Sequence, residues 1–162
     1  MSKNTLPARY KECVKIAMIA SAGAGPLGAL SSTADAAGIA AIWGSLLVGM
    51  VSKSGAAMDK ETAKKAVGAV VSGAMGYYGG CKLATRLFTL IPGAGLFIAM
   101  GASTVANILF TYRFALVLAT LLDAHKISAT EAKGIAPAVL SMMAGGFSSL
   151  ASIEDIVRIY RS

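Results

Sequence analysis

The sequence predicts an all-α fold: a compact bundle of about six or seven Gly/Ala-rich helices, some of them paired as apolar hairpins. Three observations predict it. Apolar residues recur every three or four positions along most of the chain, while the strict alternation of a half-buried strand is almost absent. Clusters of Pro and Gly, and N-capping residues, punctuate these stretches at helix-sized intervals. Hydrophobic residues make up 56% of the chain and charged residues 14%, against about 25% charged in ordinary soluble domains. The apolar surplus is carried by Ala, 18 Gly and 8 Met more than by aromatics, a composition that lets helices approach closely. At 162 residues the chain reads as one domain, 1–162.

The first helix carries Leu6, Tyr10, Val14 and Ala17 on one face, with Arg9, Lys11, Glu12 and Lys15 elsewhere. Gly23, Gly25 and Pro26 are expected to end it. Ser31, Ser32, Thr33 and Asp35 offer N-caps for a second helix that runs through Val51 and is stopped by Gly55. Asp59 caps a third helix with Val67, Val70, Val71, Ala74 and Tyr78 as its apolar stripe. Beside that stripe Gly68, Ser72, Gly76 and Gly80 follow at steps of four, a ridge without bulk along which another helix can lie almost backbone to backbone.

A short helix carrying Lys82 and Arg86 follows, and Pro92, Gly93 and Gly95 break the chain as a tight turn, a hinge or a hairpin tip. A long helix is expected from about Leu96 to Leu122. Ser128 and Glu131 form a capping box, Pro137 and the Gly145-Gly146 pair interrupt the helix that follows, and Ser152 with Asp155 opens a final one. On that last helix Ile153, Ile156, Val157 and Tyr160 line one face, and Glu154 pairs with Arg158 on the other. Residues 128–162 thus form a C-terminal amphipathic section.

Charge-free windows cover 16–34, 36–52, 66–81, 87–112 and 134–153. A spanning helix needs about 20 mainly apolar residues. Only the fourth window exceeds that, and Pro92 uses up its start, so paired hairpins, re-entrant segments or a buried bundle fit better than simple spans. Basic residues precede the first window, separate the second from the third, and follow the third, which places them on one side by the positive-inside rule. Arg113 interrupts the long helix, at a cost of at least about 2.5 kcal/mol at a bilayer centre, so it snorkels, faces a partner or lies at an interface. Asp123 and Asp35 are its candidate partners by type.

The formal charge is +7. The basic residues form no dense stripe and are not interleaved with stacking aromatics, which favours anionic lipid headgroups over nucleic acid as partner. Lys64, Lys65, Lys82, Arg86 and Arg113 are the candidates for headgroup or partner contact. Cys13 and Cys81 have no metal-ligand spacing and read as buried free thiols in a reducing compartment rather than as a disulfide. The N-terminal segment is too charged, and the apolar stretch after it too broken, for a signal peptide.

The residues Met58-Asp59-Lys60-Glu61-Thr62-Ala63-Lys64-Lys65, the Gly/Ala-rich helix after them, Leu90-Ile91-Pro92-Gly93-Ala94-Gly95, and Gly101 to Leu122 with Thr111-Tyr112 carry a resemblance. This stretch, 34–126, resembles the YcjF-like hydrophobic helical domain that accompanies many bacterial GTPases. The resemblance implies a helical module at the cytoplasmic side of a bacterial inner membrane, with a separate GTPase as partner. The GTPase must be separate because the chain lacks a phosphate-binding GxxxxGK[ST] loop: Gly76 and Lys82 stand at the right separation, but Cys81 replaces the second Gly and Leu83 the Ser or Thr.

The residues offer no catalytic constellation. His125 is the single histidine and sits near an expected helix end, the acidic residues are spread out, and no GxSxG elbow or HExxH pair occurs. No cofactor or metal is expected. Two readings remain. The first is a non-catalytic, membrane-associated helical protein that acts through lipid or protein contacts, self-assembling or perturbing the membrane. The second is a soluble oligomeric interaction module with an unusually apolar core.

Overall fold

The structure, a computed structural model, describes residues 6–30, 32–55, 92–123 and 151–161. Among them all regular structure is helical: a 3-10 turn over Ala8–Tyr10, then α1 (Lys11–Leu30), α2 (Ser32–Ser54), α3 (Gly95–Asp123) and α4 (Ala151–Arg161). The all-α expectation therefore holds, with four α-helices among the described residues.

Helix α1 forms as its apolar spacing demands. Leu6, Tyr10, Val14 and Ala17 are all buried, and Met18 joins them one residue on. The helix does not end at Gly23–Pro26, as the sequence reading expects, but continues through Pro26 to Leu30. Proline removes one hydrogen bond to the preceding turn, which weakens a helix without forbidding it. Packing holds the weakened turn here. The backbone of Gly25 presses on α3 so closely that an added Cβ would lie 2.5 Å from the Cα of Thr104.

The second helix runs three residues beyond Val51, to Ser54, and Gly55 stops it in the left-handed conformation, φ +76°. Only glycine adopts that φ without strain, so Gly55 closes the helix by conformation as well as by propensity. The hydroxyl of Ser54 caps the last turn by donating to the carbonyl of Val51 at 2.7 Å. Before α3, Pro92, Gly93 and Ala94 form an exposed turn, with Gly93 at φ +79° and the Ala94 amide donating to the Pro92 carbonyl at 3.0 Å.

Gly38 lies against Ala24 and Gly49 against Cys13, so α1 and α2 are antiparallel. Gly25 lies against Thr104, and Arg9 reaches Asp123, so α1 and α3 are antiparallel too. Helices α2 and α3 consequently run parallel, which brings Trp43 onto Phe114, ring centroids 4.6 Å apart and planes within 10°. Trp43, Tyr10, Tyr112, Phe110 and Phe114 form the bulk of the core between the three helices.

Helix α4 packs against α3 with Ile156 and Ile159 buried. The expected apolar face was Ile153, Ile156, Val157 and Tyr160, but Val157 and Tyr160 are exposed. The contact stripe is rotated because a helix of this length meets α3 along one narrow line, and residues three apart define it. Arg158 pairs with Asp155 at 3.5 Å, in place of the expected Glu154.

Candidate lipid-facing surface

The described charges are segregated along the bundle axis. Helix α1 carries none after Lys15, α2 none between Asp35 and Lys53, and α3 none before Arg113. The antiparallel contacts stack these stretches on one another: Ala24 at Gly38, Gly25 at Thr104, and Ser21 at Asn107. One end of the bundle is therefore built from the last turns of α1, the first turns of α2 and the first turns of α3. By sequence Asp35 falls in the first turn of α2.

The opposite end is charged and pinned. Arg9 pairs with Asp123 and lies over the ring of Tyr10, 4.8 Å from its centroid. The Tyr10 hydroxyl donates to the same carboxylate at 3.2 Å. Lys53 pairs with Glu12 at 3.0 Å, tying the end of α2 to the start of α1. The hydrogen bond to Asp123 raises the already high pKa of Arg9. Burial raises that of the Tyr10 hydroxyl, against the opposing pull of the hydrogen bond with Arg9.

Between the two ends the outer surface is aliphatic. Ile16 is 62% exposed, Val105 55% and Ile19 53%, with Ile98 also exposed. A groove of about 410 Å³ runs between α1 and α2. Ala17, Ala20, Ala41, Ser45 and Gly49 open it by being small, and the half-buried free thiol of Cys13 lies at its charged end. Cys13 is a free thiol as expected but half-buried rather than buried; Cys81 lies outside the described residues.

Two of the buried polar side chains of α3 are bonded across helices. Ser103, Asn107 and Thr111 recur at steps of four on α3 and are fully buried. Asn107 donates to the Ser21 carbonyl at 3.1 Å, and Trp43 donates to the Thr111 hydroxyl at 3.0 Å. Sequence reasoning passed over this ladder, although three polar residues at intervals of four within an apolar helix are a visible signal.

Of the candidate site residues, Pro92 and Gly93 form the exposed turn and Gly95 opens α3. The ridge Gly68, Ser72, Gly76 and Gly80 and the basic residues Lys64, Lys65, Lys82 and Arg86 lie outside the described residues. Close packing at a small residue is observed at Gly25. Arg113 is half-buried on α3 and engaged with its surroundings. Asp123, offered as its partner, instead accepts from Arg9 and Tyr10, because the antiparallel start of α1 brings those two to the end of α3. Among the described residues no three His, Cys, Asp or Glu side chains converge. No protein-family model, curated protein or solved structure matches the chain.

Proposed function

We propose that this is a membrane-associated helical protein that works through lipid and protein contacts, without catalysis. The observation that carries the reading is a pair of helical stretches, Ala37–Ser54 and Ile98–Asp123, long and apolar enough to cross a membrane. The core helix of a soluble protein can pass the same test by length and composition. What favours lipid is the aliphatic surface around these stretches: Ile16, Ile19, Ile98 and Val105 face outward, where water makes them costly and lipid does not. The packing style agrees. Close approach at Gly25 and cross-helix bonds from Asn107 and Trp43 are how helices adhere in lipid, where apolar burial alone supplies no preference. The +7 charge favours anionic headgroups.

Fractionation tests it: cells expressing the protein are lysed, and the membranes are washed with high salt and then with carbonate. Retention through both washes is expected. Release by salt alone would mean surface attachment, and recovery in the soluble fraction from the start would end the membrane reading.

A second reading, a soluble oligomeric module, is favoured by two observations. Of the Ile98–Asp123 stretch 61% is already buried within the chain, and the charged helix α4 packs on α3. Gel filtration without detergent separates the two, since the soluble module elutes as a defined oligomer and the membrane protein does not.

A further inference from the structure

We propose that a second copy of this chain packs face to face on the groove between α1 and α2, related to the first by a two-fold axis running along the bundle. The proposal goes beyond the two readings above and stands under either, since it names the surface through which copies meet in lipid or in water.

The face is complementary to itself. Its groove, about 410 Å³, is floored by small residues, among them Ala17, Ala20, Ser45 and Gly49. A bulky aliphatic residue stands on each rim: Ile16 of α1 is 62% exposed, and Val48 of α2 is 52% exposed. The contacts of Gly49 with Cys13 and of Gly38 with Ala24 fix the register of the two helices. In that register Ile16 and Val48 lie within two residues of one level, about 3 Å at 1.5 Å per residue. A two-fold axis along the groove lays α1 of one copy over α2 of its partner. Ile16 then meets the partner's Val48 and Ser45, and Val48 meets the partner's α1 in return. Projection and recess on one surface are what an isologous contact requires. The small residues between them let the helices approach closely.

Charge selects the axis. Glu12 on α1 and Lys53 on α2 pair at 3.0 Å at one end of the groove, yet the Glu12 side chain remains 78% exposed. The axis along the bundle sets Glu12 over the partner's Lys53, and Lys53 over the partner's Glu12. Both intrachain pairs stay intact, and the four charges alternate in sign. The other face-to-face symmetry, with its axis across the bundle, sets Glu12 and Lys53 against apolar turns further along the partner's helices, where they find no counterpart.

Cysteine cross-linking tests this on the full chain with Cys13→Ala and Cys81→Ala. Two tagged versions are co-expressed, one with Ala20→Cys and the other with Ala41→Cys. Both positions are exposed, and the register places them within one residue of the same level on opposite helices. Oxidation of the unfractionated lysate should form the mixed 20–41 disulfide at least several-fold faster than Val105→Cys, exposed on α3 outside the face, bonds to its own copy. Bonds joining 20 to 20 or 41 to 41 in place of the mixed one would overturn the axis along the bundle. A mixed bond no faster than the 105 control would overturn the interface altogether. Fractionation of the same lysate reports membrane association separately, so either failure leaves the membrane reading where it stood. Charge reversal gives a second readout at low ionic strength. With Glu12→Lys on both chains the mixed bond should form more slowly. With Glu12→Lys on one chain and Lys53→Glu on the other, its rate should recover. The intrachain pair is lost in both combinations, so equal rates would overturn the proposed pairing between copies.

Discussion

The indole N–H of Trp43 on α2 lies 3.0 Å from the hydroxyl oxygen of Thr111 on α3, with both side chains sealed from solvent. The same indole stacks on Phe114, so one residue joins α2 to α3 by a polar and an aromatic contact at once. A buried donor that loses its acceptor costs about 1–3 kcal/mol, more than the net worth of the bond itself. Thr111→Val, which keeps the shape and removes the acceptor, should therefore destabilise the protein by about that amount. Chemical denaturation followed through Trp43 fluorescence measures it. An unchanged midpoint would mean that the bond contributes nothing.

Glycines on the same helix should respond in opposite directions. Gly25→Ala places a methyl against the backbone of Thr104, which cannot rotate away, and should cost about 1–3 kcal/mol through overpacking. Gly23 has nothing within 4 Å of the same added atom. Gly23→Ala should gain about 0.5–1 kcal/mol from helix propensity alone. Thermal melts of the two variants should shift to opposite sides of the parent. A shared direction would contradict the close approach of α1 to α3.

These glycines also mark where the sequence was legible and where it was not. The face Leu6, Tyr10, Val14, Ala17, the stop at Gly55 and the span of α3 could be read because periodicity and glycine chemistry are local signals. The passage of α1 through Pro26 could not, since it depends on Thr104, nearly eighty residues away in the chain. For the same reason residue type alone offers Asp123, with Asp35, as a candidate partner of Arg113, while the antiparallel start of α1 delivers Arg9 and Tyr10 to Asp123. The charge-free windows were visible one by one; their alignment at one end of the bundle is a product of tertiary register. The surface that carries the proposed function is thus legible in its parts and not in its assembly.

Alkaline pH should loosen the charged end. Burial raises the Tyr10 pKa above its ordinary 10.0. A raised folded-state value means that the neutral phenol is favoured in the folded protein. Its stabilisation is complete below the ordinary value and is lost as pH climbs through the folded one. The unfolding midpoint should therefore fall as pH rises above 10, and Tyr10→Phe, which cannot ionise, should flatten that part of the decline. Arg9 keeps its charge throughout this range, its own pKa being raised further by Asp123. Denaturation of the two proteins at pH 9 and at higher pH decides it, and identical slopes would remove Tyr10 from the account.

Helix α4 should detach without unfolding the rest. It touches the bundle mainly through Ile156 and Ile159, which are 8% and 4% exposed, while Val157 between them is 42% exposed. Truncating a buried isoleucine to alanine costs about 2–5 kcal/mol where the site cannot collapse. An eleven-residue helix is too short to stand alone in water, so its folding depends on that contact. Ile159→Ala should thus raise amide exchange throughout 151–161 while leaving exchange in α1 and α3 unchanged. Val157→Ala, altering an outward side chain, should shift neither by more than about 0.5 kcal/mol. If Ile159→Ala instead accelerated exchange across α3 as well, α4 would be an integral part of the core.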